Sequence, residues 1–381
     1  MAARTEATIL EIEEPHELTA KERYFMASQR ELMWRRFRKH KLAVVSSVLL
    51  AFLYFVAASY EFWIPYSEST QHKGFAGAPP ARIHFFDSEG KFRGPFVYGL
   101  ERSVDPETFA TVFAEETDRV FPIRLFQRGE PYRLWGIFPA DVHFFGAGEG
   151  LVFLFGSDRL GRDLFSRILA ASRISLSIGL VGVALSFVLG CILGGISGFY
   201  GGAPDLIIQR VIEFVVAVPK IPLWMALSAA VPPRWSSVNV YFAITIILSI
   251  IGWAGLARVV RGKLLELREH DFVMAAKIAG ARDRQIISDH LLPGFMSYLI
   301  VHLTLAIPAM ILAETALSFL GLGIRAPALS WGTLLQDAQN IRSVAVQPWM
   351  LIPGLFVIVT VILYNFLGDG LRDAADPYKS S

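Results

Sequence analysis

Two ionisable side chains stand inside otherwise apolar runs of this chain, Lys220 in Val218-Pro-Lys-Ile-Pro222 and Glu314 in Ala313-Glu-Thr-Ala-Leu-Ser318. Burying a charge in hydrocarbon costs at least about 2.5 to 3.5 kcal/mol on insertion scales, so each needs a reason. Lys220 has two readings: a cation facing a solute pathway or hinge, or a stem that snorkels to head groups or pairs with Glu213. Glu314 either lines a cavity or makes an interhelical hydrogen bond. Covalent chemistry has no comparable footing. The chain contains no GxxxxGK[ST] phosphate loop, no HExxH and no GxSxG, the spacings that cradle nucleotides, hold zinc or expose a nucleophilic serine. The single Cys191 cannot form an intramolecular disulfide. No nucleic-acid motif occurs. The chain is expected to bind no cofactor or metal and to carry no catalytic residue, which leaves electrostatic guidance and conformational work.

A polar island carries the clearest pattern for such work. It reads His270-Asp-Phe-Val-Met-Ala-Ala-Lys-Ile-Ala-Gly280, then Ala-Arg-Asp-Arg-Gln-Ile-Ile-Ser-Asp-His290-Leu-Leu-Pro293. Phe272, Val273, Ala275, Ala276 and Ala279 recur at i, i+3, i+4, i+7, which predicts a short amphipathic helix with these residues on one face. Gly280 can take the left-handed conformation that ends it. Asp283 can accept from the free N–H groups of a second helix carrying Ile286, Ile287 and Leu291. Pro293 stops that helix near the next apolar run.

The elements that must position these residues are membrane helices. With 53% hydrophobic and 18% charged residues among 381 and a mean hydropathy of +0.45, the composition excludes a soluble domain of this size. Leu42 to Tyr60 is free of charge for 19 residues, close to the roughly 20 that cross a hydrocarbon core about 30 Å thick. Ile174 to Pro204 supplies a second span with a turn at Tyr200-Gly201-Gly202. Phe214 to Val231, Tyr241 to Ala257, Phe295 to Leu320 and Trp349 to Leu367 bring the expected total to six.

Basic residues near helix ends are retained on the cytoplasmic side. Arg23, Arg30, Arg35, Arg36, Arg38, Lys39 and Lys41 precede span one, whereas Lys73 alone is basic in the stretch just after it. Four spans later, Arg258 to Arg284 holds seven basic residues. Both clusters fall on one side if four helices cross between them, so both termini are expected in the cytoplasm. Arg159, Arg162, Arg167 and Arg173 dissent on the opposite face. About 40 polar residues before span one argue against a cleaved signal peptide.

The expected organisation is therefore a cytoplasmic N-terminal arm (1–41), a first transmembrane helix (42–64), an extracytoplasmic insertion (65–156) and a helical core (157–378) with a cytoplasmic loop at 258–293. In the arm, the basic cluster retains topology or meets anionic membrane lipids. The insertion is rich in Pro, Gly and aromatic residues such as Phe85-Phe86 and Phe144-Phe145, so a small folded subdomain of short strands is expected there, either touching a binding protein or serving as cover. From Ser157, Leu160, Leu164, Phe165, Ile168 and Leu169 share a helical face and predict an interfacial helix before span two. Span two carries Gly182, Ser186, Gly190, Gly194 and Gly198 at a spacing of four. That stripe predicts close packing against a helix of this chain or of another subunit.

The island resembles the EAA loop of ABC importer permeases, although Met274 stands where many relatives carry Glu and Gly294 where Asn is common. Phe155-Gly-Ser-Asp-Arg-Leu-Gly-Arg-Asp-Leu-Phe-Ser-Arg-Ile168 resembles the opening of the core in permeases of the oligopeptide, dipeptide and nickel importer family. Gly252-Trp253 through Arg261, Glu314 to Gly323, and Leu367 to Asp373 with Asp376-Pro377 agree in order. The resemblance implies an all-α polytopic protein of the type I importer permease fold, with six transmembrane helices and a small extracytoplasmic insertion subdomain. It implies a second-permease subunit in a bacterial inner membrane, moving peptides or peptide-like solutes by alternating access. The long insertion is similar to the group importing microcin C or larger peptides; oligosaccharides are the alternative cargo. Implied partners are a second homologous permease, one or two cytoplasmic ATPases holding ATP and Mg, and an extracytoplasmic binding protein. Phe272, Ala275, Ala276, Gly280, Asp283, Ile287 and Pro293 would couple to the ATPase. A self-contained secondary transporter and a non-transporting assembly protein are the rival classes.

Overall fold

The computed structural model describes residues 29–104, 106, 111–291, 294–339 and 345–375. Pro293, Arg23, Asp376 and Pro377 lie outside the described residues.

The charge-free runs become helices because a backbone in lipid must satisfy its own hydrogen bonds. Helix α1 (Gln29–Lys39) carries the basic cluster, and His40 separates it from α2 (Lys41–Ala58), its Nδ1 accepting from the Ala43 N–H at 3.1 Å. The first span stops at Ala58, and the short α3 (Tyr60–Trp63) follows. Helix α4 (Leu164–Tyr200) runs unbroken for 37 residues, begins at an Asp163 cap and ends at Gly201 with φ +66°. The interfacial helix expected from Ser157 does not form. Asp158 instead closes a turn, its Oδ1 accepting from the N–H groups of Leu160 and Arg162 at 2.8 and 2.9 Å, and Leu160 is exposed.

The third expected span, Phe214 to Val231, is not one helix. Helix α5 (Gly202–Ala217) and α6 (Lys220–Ala229) meet at 89°. Val218 precedes a proline, which disfavours the helical region, and it is extended at φ −84°, ψ 129°. Helix α7 (Ser237–Leu267) is capped by Ser236. After the island come α10 (Met296–Phe319), α11 (Trp331–Asp337) and α12 (Ile352–Ala375). The island itself holds α8 (Asp271–Ile278) and α9 (Asp283–Gln285), which runs into a π-helical turn at Ile286–Leu291. Among the described residues, five helices are long and apolar enough to cross a membrane, or six if the bent pair counts as one span.

The bundle core joins α2, α4, α7, α10, α11 and α12 through residues such as Leu50, Ile168, Ile178, Leu248, Ile311 and Trp331. Between α3 and α4 lie five strands: β1 (His84–Phe86), β2 (Phe92–Val104), β3 (Thr111–Pro122), β4 (Arg124–Leu134) and β5 (Phe138–Gly146). They make an antiparallel sheet in the order β1-β2-β3 and a separate β4–β5 hairpin. Strands β2 to β5 span 13, 12, 11 and 9 residues, so short strands were too modest an expectation.

Candidate coupling site and translocation surface

Helix α8 is held by a narrow seam. Val273 is fully buried against Phe199, Leu256, Val260, Leu264, Ile286 and Leu291, with Ala276 packed beside it. Phe272, Met274, Ala275, Ile278 and Ala279 face outward, Ile278 at 86% exposure. The single apolar face expected from spacing is thus split between an inner seam and an outer surface. A helix lying on a floor as broad as Phe199 and Leu264 needs only i and i+3 to anchor it. Lys277 adds a second tie, its Nζ 5.3 Å from the centre of the Phe199 ring.

Gly280 joins the two island helices at φ +80°. Its N–H donates to the Lys277 carbonyl, and the Ala281 N–H to that of Ala276, each at 3.0 Å, the closure of a helix C-terminus. No atom lies within 4 Å of where a Cβ would stand. Asp283 does not cap the second helix. Arg282 occupies the N-cap, its N–H donating to Gln285 Oε1 at 3.1 Å, and Asp283 is the first helical residue, where a carboxylate still complements the helix dipole. Ile287 is partly buried and packs on the same cluster as Val273.

The stripe on α4 meets helices of this same chain. A Cβ on Gly182 would come 3.2 Å from Met310, one on Gly190 2.9 Å from Leu256, one on Gly194 2.6 Å from the Ala257 carbonyl oxygen, and one on Gly198 2.7 Å from that of Arg261. Ser186 Oγ donates to the Ser249 carbonyl at 3.1 Å, and Ser249 Oγ to that of Gly182 at 3.0 Å. Residues at the end of this seam escaped the sequence reading. Arg261 holds Asp205 through Nε at 2.5 Å and a second guanidinium nitrogen at 2.6 Å, and Ser197 Oγ donates to the same carboxylate. The available signal was Asp205 as the first charge after a charge-free run.

Lys220 does not pair with Glu213, which takes Arg210 at 2.7 Å. It lines a cavity of about 380 Å³ with Trp224, Gly252, Gly255, Arg258 and His302. Glu314 is elsewhere. Fully buried, it accepts from Ser318 Oγ at 2.6 Å and lies 3.4 Å from Ser175 Oγ, which in turn accepts from the Trp331 N–H. Its geometry is that of an interhelical tie between α4, α10 and α11.

A further charged cluster sits at the start of α4. Asp158 contacts Arg162 at 2.6 Å and Arg167 at 3.4 Å, and Arg167 reaches Asp337 at 3.7 Å. Arg159 donates to the Asp337 carbonyl, and Arg173 pairs with Glu61 at 3.1 Å. These four arginines are the dissenting charges of the topology reading. Burial pushes the Asp163 carboxyl up to about 7 despite bonds from Ser166, and burial also raises Asp337, against the pull of Arg167.

Against known proteins, residues 186–380 match the family described as binding-protein-dependent transport system inner membrane component. The chain belongs to this family. Residues 28–80 match a second family, the N-terminal TM domain of oligopeptide transport permease C. Among curated relatives of this transport family, the dipeptide transport system permease protein DppC of Bacillus subtilis is 40% identical over 225 residues, 58% of this chain and 68% of that protein. The oligopeptide transport system permease protein OppC of Haemophilus influenzae is 42% identical over 230 residues, covering 60% and 71%. An inward-facing structure of the MetNI methionine ABC transporter aligns at 19% identity and a TM-score of 0.43, over 55% of this chain and 97% of that one. As a member of the family, the chain is a multi-pass permease subunit of a binding-protein-dependent ABC importer, not an enzyme. Residues 81–185, which include every strand among the described residues, fall between the two family matches.

Proposed function

We propose that the chain is the second of two permease subunits that carry peptides or peptide-like solutes inward, and that the island docks into a partner ATPase. The observation that carries this reading is the outer surface of α8. Phe272, Met274 and Ile278 are exposed at 46%, 52% and 86% on a helix whose other side is fixed in the core, and an apolar surface on an anchored helix suits a protein groove. Phe272, Ala275, Gly280 and Asp283 are the contact residues, and Ala276 and Ile287 support them from beneath. ATP and Mg belong to the one or two partner ATPases.

Sidedness follows from charge. The basic residues of α1 and those of the island share the cytoplasmic side when the bent α5–α6 pair counts as one crossing, and that count places both termini inside and the strands outside. The dissent of Arg159, Arg162, Arg167 and Arg173 carries little weight, because they end a long segment between the first two spans, and long translocated segments are poorly governed by the charge rule. The setting is a bacterial inner membrane, with an extracytoplasmic binding protein delivering cargo to a pathway that the Lys220 cavity faces. The peptide assignment rests on the names of DppC and OppC relatives.

Ile278→Asp and Gly280→Val test the docking. The first places a charge on the outer surface, and the second opposes φ +80° by about 1 to 2 kcal/mol without a clash inside this chain. In complexes purified with their partners, both should insert normally while losing ATPase retention or solute-stimulated hydrolysis. Parental values in both assays for both variants would remove the island from coupling.

A further inference from the structure

The β4–β5 hairpin folds back to the end of the first membrane helix. Trp135, in its turn, donates Nε1–H to the carbonyl oxygen of Ala58 at 2.8 Å, and Ala58 is the last residue of α2. The 18 residues of α2 rise about 27 Å, close to the roughly 30 Å of a hydrocarbon core. Ala58 therefore marks a boundary between hydrocarbon and head groups, and the hairpin turn hangs at that level.

Apart from that bond, the turn presents its apolar side chains outward. Trp135, Ile137 and Phe138 are exposed at 52%, 71% and 57%. A continuous band of rings links the hairpin to the outward surface of α2. Phe52 and Phe55, themselves exposed on that helix, contact Trp63 at 6.0 and 6.2 Å between centroids. Trp63 contacts Phe144 of β5 at 4.8 Å, and Phe144 contacts Phe126 of β4 at 6.1 Å. Phe126 and Trp135 are also the two non-glycine residues with positive φ among those described, both at 54°. Left-handed backbone is unfavourable for large side chains, so the fold tolerates strain at the two positions that turn aromatic rings outward here. Arg133 is exposed beside the turn.

We propose that the hairpin turn, Leu134 to Phe138 with Phe126, is seated in the phospholipid interface at the Ala58 end of α2. Tryptophan and its aromatic neighbours favour that layer because a ring there meets acyl chains on one side and water or head groups on the other. The hairpin anchors the strand region to the bilayer, leaving β1–β2–β3 as the part that projects away. The inference requires only that α2 spans the membrane and is independent of cargo and ATPase coupling.

The unmodified chain, in its complete complex in phospholipid nanodiscs, tests this with a diazirine-bearing phospholipid. After illumination and digestion, peptides covering Leu134 to Phe138 should be labelled to an extent comparable with the stretch around Phe52 and Phe55, and several-fold above Thr111 to Glu116 of β3. No labelling above that of β3 would overturn the proposal. A second measurement places a fluorophore on Ile137→Cys in a Cys191→Ala background. Quenching should be strong with lipids doxyl-labelled near the head group and weak with aqueous iodide. Strong iodide quenching would put the turn in water, and quenching by neither would put it beneath a protein partner; either result overturns the assignment.

Discussion

The two ends of α4 lean on different devices. At the Leu164 end, charge is locked inward: Arg167 is 4% exposed between Asp158 and Asp337, and Glu314 is sealed under Ser175 and Ser318. At the Tyr200 end, the Arg261–Asp205 pair is one polar tie, but the helix contact is made by small residues, so that Gly194 and Gly198 bring backbones together and Phe199 becomes the floor for α8. Polar ties fix a geometry because an unpaired buried charge is costly, whereas small residues fix only a separation. One end of the helix is specified mainly by orientation, the other mainly by distance, and the exposed face of α8 sits on the latter.

That contrast can be broken most forcefully at the charged end. Arg167→Met removes a buried cation from between Asp158, which keeps Arg162, and the partly exposed Asp337, a loss of about 1 to 3 kcal/mol. A clear fall in apparent Tm in detergent is expected; an unchanged Tm would show that the cluster is hydrated and holds nothing. Next comes Gly194→Leu, whose Cβ would start 2.6 Å from the Ala257 carbonyl oxygen. Overpacking of this kind costs about 1 to 3 kcal/mol, and α4 and α7 should separate, read as a fall in apparent Tm that Gly255→Leu, with no atom within 4 Å of its Cβ position, does not share.

Asp163 gives a smaller effect with a definite sign. Its folded pKa, raised to about 7 by burial, lies above the ordinary carboxyl value, so the folded state keeps a proton that the unfolded state has released. Stability is fully present below about pH 4 and declines as pH rises through about 7. Asp163→Asn retains an acceptor for the Ser166 N–H and should flatten that slope. An equal slope in the variant would assign the dependence to other groups, Asp337 first among them. Smallest of all is Phe272→Ser, on the exposed face of α8, with a stability change within about 0.5 kcal/mol. A large drop in Tm there would mean that the outer face of the island is already packed, and the contrast between the ends of α4 would fail.

Much of this was legible in the residues. Charge-free length found five of the spans because the bilayer sets a minimum that sequence must meet, and the turn at Tyr200-Gly201-Gly202 followed from its glycines. The third was expected as one helix and is a bent pair that can still count as one crossing, because a count of apolar residues takes no account of Pro219, whose effect falls on Val218 before it. The glycine stripe announced close approach but not its partner, since spacing describes one surface and packing needs two. On α8 the periodicity gave an amphipathic helix but assigned Val273 and Phe272 to one face; only the position of Phe199, over 70 residues away in sequence, separates them. The Asp158–Arg162–Arg167–Asp337 cluster was invisible for the same reason, since Asp337 comes from α11. In the strand region, aromatic content signalled folding, and nothing in it disclosed a hairpin that returns to Ala58.

The unbroken run of α4 has a mechanical consequence. Its 37 residues extend about 56 Å, well beyond a hydrocarbon core of about 30 Å. It works as a lever longer than the wall it passes through. A tilt of about 5° about one end carries the other about 5 Å sideways at that helical length, and the hydrogen-bonded backbone can neither stretch nor shorten to absorb it. The elbow between α5 and α6, at 89°, has no such gain.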